Sequence, residues 1–298
     1  MRLATTTSSD NIISQLQQLG QQQSKLQTQV STGQRISQLE DDPAAAGRVL
    51  NLASEQRALT QFSNNATRAL EVNQSTLSSL QAIKKISDRA TELGTLGSGT
   101  QSTQQTDAYA AELDQLLEQA VQQANSRLGN DSLFAGTAVN VTPYTVTRNP
   151  QGQITGVTFV GNTAQSSIPL SQTATVAPGA DTTTTSGITD FLNHLVALRD
   201  ALQTGNGAGV TTAQTGLITT EDTFVAALAQ QGAVQMRIEV NQTQQSNQVQ
   251  NLQKLVSGEV DADMPSTIVR LNQAQTAYQA SLQSSAKIMK LSLLDYIN

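Results

Sequence analysis

The chain has 298 residues, a formal net charge of −6, 3% aromatic residues, and neither Cys nor Trp. Apolar residues make up 37%, below the roughly 45–50% of ordinary globular domains, so long thin helices with polar loops are expected rather than a thick aromatic core. The acidic balance argues against a general nucleic-acid binder, and the lack of Cys excludes disulfides, zinc ribbons and thiol nucleophiles.

In chain order, the first fourteen residues carry one Arg and no apolar run of signal-peptide length. No stretch approaches the roughly 20 apolar residues of a membrane span, so export would need a route that reads no cleaved signal. Ile12, Leu16, Leu19, Gln23, Leu26 and Val30 then alternate steps of four and three, the a/d seam of a coiled coil. A helix this short with one narrow apolar seam is marginal alone and needs a partner.

Gly33 ends that pattern, and Asp42-Pro43 restarts it as a helix start, a capping carboxylate followed by a proline suited to the first turn. From Ala44 to about Leu93 the apolar spacing predicts one long helix, and after a Gly/Ser/Thr turn a further one covers Tyr109–Leu128. From Gly129 to Gly187, Pro, Gly and Thr become frequent; Tyr144–Thr147, Ile154–Val160 and Ser167–Leu170 read as short strands. Helical pattern returns over Ile188–Leu202 and Thr211–Ser257. After a break around Asp261-Ala262-Asp263 a last helix runs from Ser266 to about Leu294, with Ile268, Leu271, Gln275, Tyr278, Leu282, Ser285 and Met289 in three–four spacing.

The two ends mirror each other, and nested layers follow. The expected fold is mainly α: a long antiparallel helical bundle or coiled coil built from both termini, with a small, mostly β domain inserted in the middle. Residues 1–32 and 266–298 form the paired inner layer, 33–128 and 188–265 the long-helix bundle, and 129–187 the outer β-rich insertion. Ile12, Leu16, Leu19, Leu26, Val30, Ile268, Leu271, Tyr278, Leu282 and Met289 are the candidate assembly-interface residues, and Asp42, Pro43 and Asp263 the helix-start caps. The thinness of the terminal pair favours self-association or folding on assembly.

No catalytic, cofactor-binding or metal site is predicted. The single histidine, His194, lies on an amphipathic helix without a second His or a Glu-x-x-His spacing, so it reads as a boundary residue. The acidic clusters at 40–42 and 261–263 sit at helix starts, where carboxylates suit free N–H groups better than a calcium ion lacking further ligands.

At this point the segments resemble a known family. Ser31-Thr32-Gly33-Gln34-Arg35-Ile36 followed by Asp41-Asp42-Pro43 resembles the N-terminal signature of bacterial flagellins and their junction relatives. Leu133-Phe134-Ala135-Gly136-Thr137 and the closing Leu291–Ile297 are similar to stretches of the hook-associated protein 3 family, and Gln235-Met236-Arg237-Ile238 and Asp261-Ala262-Asp263-Met264 resemble the C-terminal pattern it shares with flagellins. The resemblance covers residues 1–137 and 230–298 and leaves the middle without a motif. It implies a structural, non-catalytic subunit at the hook–filament junction of an extracellular bacterial flagellum. Such a subunit leaves through the flagellar type III export channel with a chaperone and contacts neighbouring hook-associated and flagellin subunits, with no nucleic acid and no membrane insertion. A filament-forming flagellin and a secreted coiled-coil interaction protein stand as alternatives.

Overall fold

The computed structural model describes the backbone of residues 2–38, 40–99 and 102–297, with side-chain surroundings within 10–287. Met289 therefore lies outside the described side chains. The helices are α1 (Arg2–Thr32), α2 (Pro43–Gly97), α3 (Thr103–Ala124), α4 (Thr182–Gln203), α5 (Gly207–Val260) and α6 (Met264–Ile297). Between α3 and α4 run β1 (Arg127–Leu128), β2 (Asp131–Ser132), β3 (Tyr144–Arg148), β4 (Ile154–Phe159), β5 (Ile168–Pro169) and β6 (Thr175–Val176), which pair only as three separate antiparallel hairpins. The fold is mainly α with a small, mostly β middle region, as the sequence pattern predicts.

Several helices start earlier than their apolar spacing suggests, and caps account for two of them. α3 begins at Thr103 because Gln105 reaches back to accept from the Ser102 N–H at 3.1 Å, closing a capping box. It ends at Ala124, and Arg127–Leu128 is strand rather than helix. α4 begins at Thr182 because the Asp181 carboxylate accepts from the Thr184 N–H at 2.8 Å. Threonines 182–185 favour strand on propensity, and the cap overrides them.

The chain forms two compact units, one of Met1–Ala58 with Gln248–Asn298 and the other of Leu59–Asn247. The second holds a large core. Leu80, Ile83 and Leu93 of α2, Leu113 and Leu117 of α3, Ile188, Phe191, Leu192 and Leu195 of α4, and Leu217 and Phe224 of α5 are all buried in one cluster. Phe191 and Phe224 meet edge to face with ring centroids 5.3 Å apart, the arrangement aromatic quadrupoles favour. The β3–β4 hairpin adds Tyr144, Ile154 and Val157 to the same cluster. A smaller cluster gathers Ala66, Ala69, Leu170, Val176 and Ile238.

Among the described residues Arg199 is the one arginine sunk into this core, 2% exposed. Its guanidinium donates to Asp114 at 2.8 Å, to Asp200 at 2.6 Å and to the Ile154 carbonyl at 2.7 Å. A charge so placed is tolerable only with such partners, and it ties α3, α4 and β4 together. Gly136 lies in the Leu133–Thr137 stretch with φ +65°, and a Cβ there would meet the Asn162 carbonyl oxygen at 1.8 Å. Both the backbone angle and the close approach demand glycine at that point. His194 is half-buried on α4, its Nδ1 without a hydrogen-bond partner among the described residues.

Candidate assembly interface

The first unit is built differently. α1 packs along α6, and the predicted seam of α1 is the side turned inward: Leu26 is buried, while Ile12, Leu16, Leu19, Gln23 and Val30 are half-buried. On α6 the inward line runs through Thr267, Leu271, Ala274, Tyr278, Ser281 and Ser285. Tyr278 lies against Gly20, where a Cβ would touch its ring at 3.8 Å. Of the remaining candidates, Ile268 and Leu282 point outward, 43% and 44% exposed, and Ile13 and Val269 are exposed as well. The inward line of α6 thus uses small and hydroxylic residues as spacers, while larger aliphatics stay on the surface.

Beyond α1 the two chain breaks lie against each other. Gly33 adopts φ +73°, a left-handed conformation that lets the chain leave the helix. The Arg35 N–H then donates to the Val260 carbonyl at 2.6 Å, and the Ala262 N–H donates to the Gly33 carbonyl at 2.8 Å. Side chains clasp the same place. The Arg48 guanidinium grips the Glu259 carboxylate with two hydrogen bonds of 2.9 and 2.8 Å, the bidentate geometry that gives such a pair its specificity. Arg35 donates to the Glu259 carbonyl at 2.8 Å and to Asp42 at 3.2 Å.

The helix-start residues divide their work. Asp42 caps α2, accepting from the Ala45 N–H at 3.0 Å with Pro43 in the first turn. Asp41 instead fixes the preceding turn, accepting from the Ser37 and Gln38 N–H groups at 3.0 and 3.1 Å and pairing with Lys25 at 2.8 Å. Asp263 contributes its carbonyl, which accepts from the Thr267 N–H at 2.9 Å at the start of α6. Lys25, Arg48 and Glu259 were not singled out by motif or spacing, whereas Gly33, Arg35, Asp41 and Asp42 stood inside recognised stretches.

These contacts shift the carboxylates downward. Asp41 is held well below the usual range, first by the Lys25 hydrogen bond and then by the two backbone N–H groups. Asp42 is lowered by the Ala45 N–H and then by Arg35, and Glu259 by Arg48. A carboxylate with a depressed folded pKa stabilises the fold fully above its unfolded value and loses that contribution as pH falls towards the folded one. The clasp is therefore expected to hold from neutral pH down to about pH 4, the ordinary carboxylate value, and to loosen below it. Hydrogen-exchange protection of the Arg35 and Ala262 amides measured against pH checks this; protection that stays flat through pH 3 contradicts it.

Terminal helices that pair, a clasp at the chain breaks and a middle unit with its own core define a mainly helical protein with a small β-containing middle region. Two family models match in order: the bacterial flagellin N-terminal helical region over residues 3–138 and the bacterial flagellin C-terminal helical region over 216–297. The chain belongs to the bacterial flagellin family. It is 31% identical to flagellar hook-associated protein 3 of Salmonella typhimurium over 124 residues, 40% of this chain and 38% of that protein. It is also 32% identical to the flagellar filament 41 kDa core protein of Borreliella burgdorferi over 97 residues, 32% of this chain and 29% of that one. The aligned part thus spans well under half the length of either relative. In fold, it superposes on Bacillus cereus FlgL with a TM-score of 0.61 at 18% identity, covering 70% of this chain and 99% of that structure. Among the described residues no helix is long and apolar enough to cross a membrane.

Proposed function

We propose that this chain is a structural subunit of the hook–filament junction of a bacterial flagellum, polymerising through its terminal helices and catalysing nothing. One observation carries the reading: the terminal unit has almost no core of its own. Leu26, Ala45, Leu252 and Ala274 are its buried apolar residues among those described, while Ile13, Leu50, Leu255, Ile268, Val269 and Leu282 stand exposed. A helix pair that buries so little apolar surface is marginal by itself, and packing against neighbours supplies what is missing. The partners in this reading are further copies of the chain, neighbouring hook-associated and flagellin subunits, and an export chaperone. Its place is the extracellular flagellum. The divided architecture of 1–32 with 266–298, 33–128 with 188–265, and 129–187 belongs to the same proposal, as inner, middle and outer layers.

Removing residues 266–298 is the test. Incorporation into flagella should be lost while the Leu59–Asn247 core melts as before. Incorporation that survives the deletion refutes the reading. The filament-subunit alternative is favoured by the Borreliella relative and is separated by seeding: a flagellin extends long filaments from a seed, and a junction subunit stops after a short layer.

A further inference from the structure

The β5–β6 hairpin lies along α2 and α5 without joining the main core. Its buried side chains, Leu170 and Val176, meet Ala66 and Ala69 of α2 and Ile238 of α5 in the smaller cluster, which shares no residue with the larger one. Its strands have two residues each, pairing Ile168 with Val176 and Pro169 with Thr175, and so short a hairpin does not persist away from the surface it packs on. Residues 162–167, which lead into it, are all exposed.

The helices hold this hairpin through side chains that reach its backbone carbonyls. Asn65 of α2 donates to Pro169 at 3.0 Å; from α5, Gln245 donates to Leu170 at 2.6 Å and Gln231 to Gly179 at 3.1 Å. Among the described residues no backbone hydrogen bond joins 165–177 to the rest of the unit, and the Leu170 and Ser171 N–H groups both turn back to the Ala174 carbonyl. The closed arrangement also carries a cost. Gln245 is 4% exposed and its Oε1 has no hydrogen-bond partner among the described residues, nor has Oδ1 of Asn73, fully buried beside Gln231. A buried acceptor without a donor is destabilising, and the penalty goes once solvent reaches it. At the foot of the hairpin, Ile168 and Pro178 line an open cavity of about 470 Å³ together with Val72 and Leu133. Its base therefore stands at the rim of an opening rather than on closely packed side chains.

We propose that the β5–β6 hairpin is a strap that lifts from α2 and α5 on its own, without unfolding the core, and that when closed it screens the apolar face of Ala66, Ala69 and Ile238. Lifting gives up two buried side chains and a few side-chain hydrogen bonds, wets the unpaired Gln245 acceptor and leaves the Phe191–Phe224 cluster as it stands. One fold thus offers two surfaces on this side, a covered one and an apolar one. The inference concerns the free chain and stands apart from the assembly reading.

Amide hydrogen exchange on the free full-length protein tests the lifting. The Leu170 and Ser171 amides should open about 100-fold more often than the Leu195 amide in the middle of α4. Their exchange should respond only weakly to low urea, because little surface is exposed in the opening. The variant Leu170→Asp, which places a carboxylate in the seat, should exchange freely at Ser171, bind the neutral apolar dye Nile red, and keep the urea midpoint of the Leu59–Asn247 core. Hairpin and α4 amides that share one rate and one urea dependence overturn the proposal. A core midpoint that falls in Leu170→Asp overturns it as well, since the hairpin would then be part of the core. A lifted strap in that variant without a Nile red signal would refute the screening role.

Discussion

Replacing Phe224 by Ala is expected to cost the Leu59–Asn247 unit roughly 3–5 kcal/mol of unfolding free energy, the range for a fully buried aromatic truncated in a packed core. Phe224 is completely buried on α5 and stacks edge-on against Phe191 of α4. Its loss removes apolar contact from the middle of the main cluster and leaves a void that the crowded helices cannot fill. Urea unfolding followed by circular dichroism measures the change. Val225→Ala on the exposed side serves as the control and should stay within about 0.5 kcal/mol of the unchanged protein. If the two variants unfold alike, the core has been placed on the wrong side of α5.

The second large effect concerns assembly rather than stability. Leu26→Glu with Leu271→Glu puts two carboxylates on the inward lines of α1 and α6, where Leu26 is 8% exposed and Leu271 half-buried. An unpaired charge in such a place costs several kcal/mol, and at about 1.4 kcal/mol per factor of ten, polymerisation should weaken by more than about 100-fold. The middle unit, whose core includes neither residue, should keep its unfolding midpoint. Sedimentation of hook-seeded assemblies against that midpoint separates the two effects. Assembly at unchanged concentration would show that the α1–α6 seam does not carry it.

Much of this architecture was legible in the sequence because its helices are amphipathic at 3.6-residue spacing and its breaks carry Gly and Pro. The α1 seam came through residue by residue, since Ile12, Leu16, Leu19, Leu26 and Val30 are the large apolar residues on that face among the described side chains. The α6 seam came through less well. Spacing selects Leu271, Tyr278 and Ser285, which do turn inward, but also the large aliphatics Ile268 and Leu282, whereas the inward line continues through Thr267 and Ala274. A pattern that counts only large apolar residues misses small ones that let two helices approach. The clasp of Arg35, Arg48 and Glu259 was not legible, because it joins residues more than 200 positions apart and exposed charges have no periodicity to betray them. Arg199 escaped notice for the opposite reason: it occupies a core position on α4, where sequence pattern expects an apolar residue, and only its partners on α3 and β4 explain it.

The central claim is that the terminal unit acquires its stability from neighbouring subunits, while the middle unit is stable in the free chain. Amide hydrogen exchange, compared between the soluble protein and the same protein incorporated into flagella, tests this most directly. The expected result is fast exchange along α1 and α6 in solution, strong protection of the Leu59–Asn247 core in both states, and protection of both terminal helices only after incorporation. Strong protection of α1 and α6 in the free protein would contradict the claim and mark the terminal pair as a module already folded on its own.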